Sequence, residues 1–174
     1  QSAKFLKDQD FWLEEFATSV PETNLSFGEK LPEDITCQRL TFTLPDELYR
    51  TVDSYCNSNQ VTLFQLFYTV LHTYIARVTG NYDGVIGIAH HGRKNARQRQ
   101  MPGMFVSTVP IRVSCQGQDT FTELQQLVGK KLRNTARYQQ YPYDELAQRL
   151  QEQGQSVSGL LNINLVQVPE WRTM

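Results

Sequence analysis

The sequence is poor in cysteine, nearly without net charge, and has no extended apolar stretch. Its three cysteines, Cys37, Cys56 and Cys115, are odd in number and far apart. That excludes a disulfide framework or a Cys-x-x-Cys metal site, and the expected compartment is the reducing cytoplasm. Seventeen Lys and Arg against eighteen Asp and Glu leave a formal charge of −1, so no global field points to nucleic acid or membrane. No apolar segment approaches the roughly 18–20 residues that cross a bilayer. The start, Gln1 to Asp8, lacks the apolar core of a secretory signal. Gly-rich phosphate loops, Gly-x-Ser-x-Gly turns and His-Glu-x-x-His zinc motifs are also missing. What is present, 174 residues of which 40% are apolar and 11% aromatic, is enough for the core of one ordinary domain.

Periodicity supplies the elements. Phe11, Trp12, Phe16 and Val20 form one apolar stripe, which predicts a helix over residues 8–20. Residues 21–32 read as a loop, and Leu40, Phe42 and Leu44 alternate on one face of a predicted strand over 35–44. Pro45 marks the start of a helix carrying Leu48 and Val52. From Thr62 to Thr79 the apolar residues keep a three-and-four rhythm, with Thr62 and Gln65 as a capping-box pair and Gly80 as the stop. This predicts a central core helix against a sheet. Val85–Ile88 reads as a buried strand, and 104–113 as an edge or bulged strand because of Pro110. Asp119 or Thr120, with Glu123 as capping partner, opens another helix, a Pro142 turn leads to a short one from Tyr143, and 160–168 reads as the last strand. The order predicts an α+β fold, a mixed sheet covered by helices, in a single unit over 1–174. The ends fit either a piece of something longer or a small free-standing domain.

Two stretches invite a chemical reading. His90-His91 opens a near-match to the His-His-x-x-x-Asp-Gly pattern of acyltransferases, in which the second His acts as general base or orienting group. Asn95 and Ala96 stand where Asp and Gly belong, so the expectation is a polar loop with two solvated imidazoles. His72, inside the long helix, reads as structural. Between Gly84 and Gly117 lie Arg93, Lys94, Arg97, Arg99 and Arg112 without one Asp or Glu. Such a patch either meets an anion or acidic partner surface or is a solvated, self-repelling loop. Nucleic acid is disfavoured because aromatic residues do not interleave with the charges. The acidic pairs Glu14-Glu15 and Asp144-Glu145 read as solvated helix surface.

Taken in order, several segments resemble the C-terminal half of a condensation domain from nonribosomal peptide synthetases. Asp10-Phe11-Trp12-Leu13-Glu14-Glu15-Phe16 is similar to the aromatic-Trp helix that opens that half. Thr62 to Leu66 with Arg77-Val78-Thr79-Gly80-Asn81-Tyr82-Asp83 resembles T-x-F-x-x-L … R-x-[ST]-G-x-x-D. Gly103-Met104-Phe105-Val106-Ser107-Thr108 through Arg112 is similar to G-x-F-V-N-T-x-x-x-R, and Tyr138-Gln139-Gln140-Tyr141-Pro142-Tyr143-Asp144 to H-Q-D-x-P-F-E. Ser158 to Leu165 sits where the family has S-R-N-P-L-F. Gly92-Arg93 matches a family Gly-Arg pair, so His90-His91 does not fall at the family's catalytic motif.

The resemblance implies a chloramphenicol-acetyltransferase-like fold of two lobes meeting along a tunnel, this chain being the C-terminal lobe without the lobe that bears His-His-x-x-x-Asp-Gly. It implies amide formation between aminoacyl or peptidyl thioesters, delivered on the 4'-phosphopantetheine of carrier proteins, with no cofactor bound directly. An adenylation domain would lie in the same parent chain. Gly103, Phe105, Val106, Ser107, Thr108, Arg112, Gln139, Pro142 and Tyr143 would line or prop the tunnel. Arg93, Lys94, Arg97 and Arg99 would form a carrier-docking face. No residue here would be catalytic, and no metal, nucleic acid or membrane is implied. Ser107 replaces the family Asn; Tyr138, Gln140, Tyr143 and Asp144 replace His, Asp, Phe and Glu; the last motif lacks its Arg and Pro. A non-catalytic interaction module, or a lobe of an epimerisation or heterocyclisation domain, is the alternative these departures leave open.

Overall fold

The computed structural model describes residues 2–25, 37–93 and 95–168. In chain order the elements are α1 (Ala3–Glu15), α2 (Asp46–Asn59), α3 (Leu63–Thr79), β1 (Asp83–His90), α4 (Ala96–Gln100), β2 (Ser107–Ser114), α5 (Phe121–Tyr138), α6 (Tyr143–Glu152) and β3 (Asn164–Leu165). The fold is α+β around a mixed three-stranded sheet of order β2-β1-β3. β1 pairs antiparallel with β2 from Asp83↔Ser114 to His90↔Ser107, and parallel with β3 at Gly87 and Ile88. Pro110 is tolerated because β2 is an edge.

Local chemistry sets the helix ends. The Thr62 hydroxyl accepts the Gln65 N–H at 3.1 Å, and Gly80 closes α3 at φ 71°. The capping box is only half made there, because the Gln65 amide instead donates to the Gln125 carbonyl at 2.8 Å and ties α3 to α5. Gly129 makes room for it: a Cβ at that position would lie 2.5 Å from Gln65 Nε2. On α5 the Thr120–Glu123 box is complete. α2 starts after Pro45 with Asp46 and Glu47 in its first turn, where carboxylates favour the helix dipole.

Residues directly opposite share a face, so Ile86, Ile88, Val109, Ile111 and Val113 point together under α3 and α5. Two side chains of α3 grip β2: the Tyr68 hydroxyl donates to the Ile111 carbonyl at 2.9 Å, and His72 Nε2 lies 3.0 Å from the Val113 carbonyl. The core continues through Trp12 and Phe16 of the N-terminal segment and through Leu146, Leu150 and Leu160.

Several expectations need correction. The first helix runs Ala3–Glu15, capped by the Ser2 hydroxyl, and stops short of Val20. The strand expected over 35–44 does not form in its described part, 37–44, and Ile35 and Thr36 lie outside the described residues. Leu40 and Phe42 are 77% and 86% exposed. Alternation specifies which side chains share a face, but a strand also needs a ladder partner, and no described residue offers one. The last strand shrinks from 160–168 to Asn164–Leu165 because the preceding backbone turns. The Asn164 amide donates back to the Leu161 carbonyl at 2.9 Å and the Asn162 amide to the Thr23 carbonyl at 3.2 Å.

His72 gives the fold a pH dependence. Facing a carbonyl, Nε2 must carry the proton, which leaves Nδ1 buried without a partner. Burial lowers its pKa from 6.5, against the opposing pull of the Val113 carbonyl and Asp83. His90 is lowered in the same direction, by burial and then by His91. The unfolded chain therefore binds protons more readily, so stability is full above about pH 6.5 and falls as the pH drops below it. Urea midpoints at pH 7.5 and 5.5 should fall towards acid, and His72→Gln should flatten the fall. A midpoint independent of pH would refute the assignment.

Candidate functional site

β1 and β2 end their ladder at His90↔Ser107, and the chain between them folds back on itself. Gly92 turns at φ 64°, where a Cβ would sit 2.0 Å from the Phe105 carbonyl oxygen. Only glycine allows that approach. Arg93 follows with its guanidinium turned inward. It donates to the carbonyls of Gln98, of Met101 at 2.6 Å and of Gly103 at 2.8 Å, and lies 4.2 Å from the Phe105 ring centroid.

Outside this centre the loop presents two surfaces. Arg97 and Arg99, on α4, are exposed and make no ion pair among the described residues. Met104 is 94% and Val106 60% exposed, and Ser107 is exposed at the start of β2. Thr108 is half-buried on the opposite face of the strand from Ser107.

Beside the ladder's end, α3, α5 and β1 enclose an open cavity of about 550 Å3, lined by Thr62, Phe64, Gln65, His90, Leu132 and Arg133 among others. His90 is thus half-buried at a cavity wall rather than solvated, while His91 is exposed as expected. The His91 ring accepts the Arg93 N–H at 3.0 Å. The two imidazoles stand 6.5 Å apart, edge to face. No carboxylate lines the cavity among the described residues, so the pair has no orienting acid of the kind the acyltransferase pattern requires.

The structure separates the expected tunnel residues into three places. Gly103, Phe105, Val106, Ser107 and Thr108 form the loop exit and the first turn of β2. Arg112 lies further along β2, roughly 17 Å from Ser107. There it pairs with Asp83 through Nε at 3.0 Å and Nη2 at 2.6 Å, and donates to the Ser19 carbonyl at 3.2 Å. It anchors the exit of α1 and does not face Ser107. Gln139, Pro142 and Tyr143 sit at the α5–α6 joint. The Gln139 amide donates to the Ala136 carbonyl at 2.7 Å, Pro142 caps α6, and Tyr143 is half-buried with its phenol pushed up by desolvation and Asp144. That joint packs on α1: Phe11 stacks on Tyr138 at 3.9 Å, and the Trp12 indole donates to the Tyr138 carbonyl at 3.1 Å. The expected docking face also changes. Arg93 is engaged inside the loop, and Lys94 lies outside the described residues, which leaves Arg97 and Arg99.

No group of three His, Cys, Asp or Glu among the described residues could hold a metal, and no described helix is long and apolar enough to cross a membrane.

A family model for the condensation domain matches residues 1–170. The chain belongs to the condensation-domain family. It is 36% identical over 174 residues to surfactin synthase subunit 1 of Bacillus subtilis (strain 168), spanning 99% of this chain and 5% of that protein. Bacitracin synthase 2 of Bacillus licheniformis is 30% identical over 155 residues, spanning 86% of this chain and 6% of that protein. The chain therefore spans a small fraction of the curated relatives it matches. The first condensation domain of the CDA synthetase superposes with a TM-score of 0.80 at 18% identity, over 98% of this chain and 36% of that one. A four-domain nonribosomal peptide synthetase bound to AMP and glycine superposes with a TM-score of 0.82 at 18% identity, over 95% of this chain and 13% of that one. The fold is thus the chloramphenicol-acetyltransferase-like arrangement of condensation domains, as the motifs implied.

Proposed function

We propose that the chain is part of the C-terminal lobe of a peptide-synthetase condensation domain and supplies one wall of its reaction tunnel. The single observation that carries this reading is the family match over residues 1–170. In support of it, the Gly103–Thr108 segment, with Met104, Val106 and Ser107 exposed, resembles the family's G-x-F-V-N-T motif. In the reaction, the amine of the acceptor aminoacyl thioester attacks the donor thioester carbonyl. The C–N bond forms, the C–S bond breaks, and the donor's 4'-phosphopantetheine thiol leaves with a proton. This chain supplies surface and positioning, and the proton-handling histidines belong to the other lobe. Carrier proteins, that lobe and an adenylation domain are the partners, in the cytoplasm.

Arg97 and Arg99 form the carrier-facing surface in this reading. Two exposed cations beside the wall, without ion pairs among the described residues, suit the acidic helix of a carrier or the phosphate of its arm. Such steering weakens with salt. Arg97→Glu with Arg99→Glu should raise the carrier Kd about tenfold at low salt and change it little at high salt. Titration of a holo carrier protein against the parent synthetase, at two ionic strengths, measures it. An unchanged Kd at low salt would remove these arginines from the docking face.

A further inference from the structure

We infer that Arg93 is a positioning residue for the tunnel wall, an inference that rests on the condensation reading above. Met104 and Val106 are 94% and 60% exposed, so packing of their own side chains does not fix the wall. The backbone contacts that do fix it converge on Arg93. Its guanidinium ties the carbonyls of Gln98, Met101 and Gly103, and its cation lies against the Phe105 ring. Gln98 lies in the last turn of α4 and its carbonyl also accepts the N–H of Met101, the C-cap, so the same guanidinium also ties the end of that short helix. Gly92 adds a fixed point by lying against the Phe105 carbonyl. Together they continue the β1–β2 contact beyond its last pair, His90↔Ser107, and set how the chain enters Ser107.

The chemistry requires arginine. A planar fork donates to several carbonyls while its face stacks on a ring; an ammonium is a compact point charge that cannot hold that spread of acceptors. Lysine would keep the charge and lose the clamp. This separates positioning from docking, since a docking cation would tolerate the exchange.

The test uses the full-length synthetase with Arg93→Lys, Arg93→Gln and, as a backbone variant, Gly92→Ala. Donor and acceptor are supplied on loaded carriers, and kcat, KM for the acceptor carrier and the unfolding midpoint are recorded. Misplacement of the wall by about 1 Å should lower kcat by about 10- to 100-fold. KM should stay within about twofold, and Arg93→Lys should not rescue. The midpoint should barely move for the Arg93 variants and fall for Gly92→Ala, whose Cβ has no room against the Phe105 carbonyl. Limited trypsin digestion of the same proteins should cut after Arg97 and Arg99 about tenfold faster in Arg93→Gln, because the loop opens more often. Unchanged kcat in folded Arg93→Gln, or a raised KM at constant kcat, overturns the inference. If wild type forms no amide, the condensation reading fails, and equal digestion rates in wild type and variant would then sink the clamp as well.

Discussion

Replacing Arg112 with methionine is expected to cost about 3 kcal/mol of folding stability, because it strands a carboxylate built to be paired. The Arg112 side chain is only 11% exposed and that of Asp83 29%, and their contact is bidentate at 3.0 and 2.6 Å. Methionine keeps the apolar stem but leaves Asp83 and the Ser19 carbonyl without their donor. The remaining exposure of Asp83 lets water recover part of the loss, so the figure sits at the low end for buried pairs. Asp83→Asn should cost less, and the double variant less than the sum, since each removes the same contact. Urea denaturation of the three variants measures it; a loss below about 0.5 kcal/mol for Arg112→Met would show the pair to be a surface ornament.

Trp12→Ala should cost about 3–5 kcal/mol, the range for deleting a buried aromatic side chain. Trp12 is 2% exposed and packs near-parallel to Phe16, with ring centroids 6.4 Å apart. Its indole N–H is satisfied by the Tyr138 carbonyl. Removing the ring leaves a cavity between α1 and the end of α5 and takes one of two donors from that carbonyl, which keeps the Tyr141 N–H at 3.1 Å. Trp12→Phe keeps most of the apolar area and loses only the hydrogen bond, so about 1–2 kcal/mol should separate it from wild type. Equal stability of wild type and Trp12→Ala would mean that α1 is an appendage and not part of the core.

The two variants bear on what the sequence could disclose. Helices were legible because their signals are local. Thr62 and Gly80 frame α3, Thr120 and Glu123 open α5, and Pro142 starts α6. Contacts across the chain were not. Trp12 meets Tyr138 across 126 positions, and nothing in either segment names the other. The alternation of Leu40, Phe42 and Leu44 predicted a strand, but alternation carries no information about a partner, and in the described residues the segment stays unpaired.

The site shows the same limit. The motif from Gly103 to Arg112 was visible as a string, yet one end is a largely exposed loop exit and the other an ion pair at the exit of α1. Counting charges placed Arg93 with Arg97 and Arg99 as one docking face, since a count cannot see which way a guanidinium turns. The sign that could have been weighed is its neighbour: Gly92 before Arg93, and Gly103 ten residues on, suggest a loop whose backbone approaches itself.

The most direct test of the central claim is to follow peptide bond formation by the full-length protein that carries this chain. One carrier is loaded with a donor acyl thioester and a second with an acceptor aminoacyl thioester, and both are read by intact mass. If this chain is a wall of a working condensation site, the donor group moves to the acceptor in amide linkage and the donor carrier returns as its free thiol. If both carriers keep their own loads while the protein is folded and binds them, the chain belongs to a domain that recognises carriers without joining their cargo.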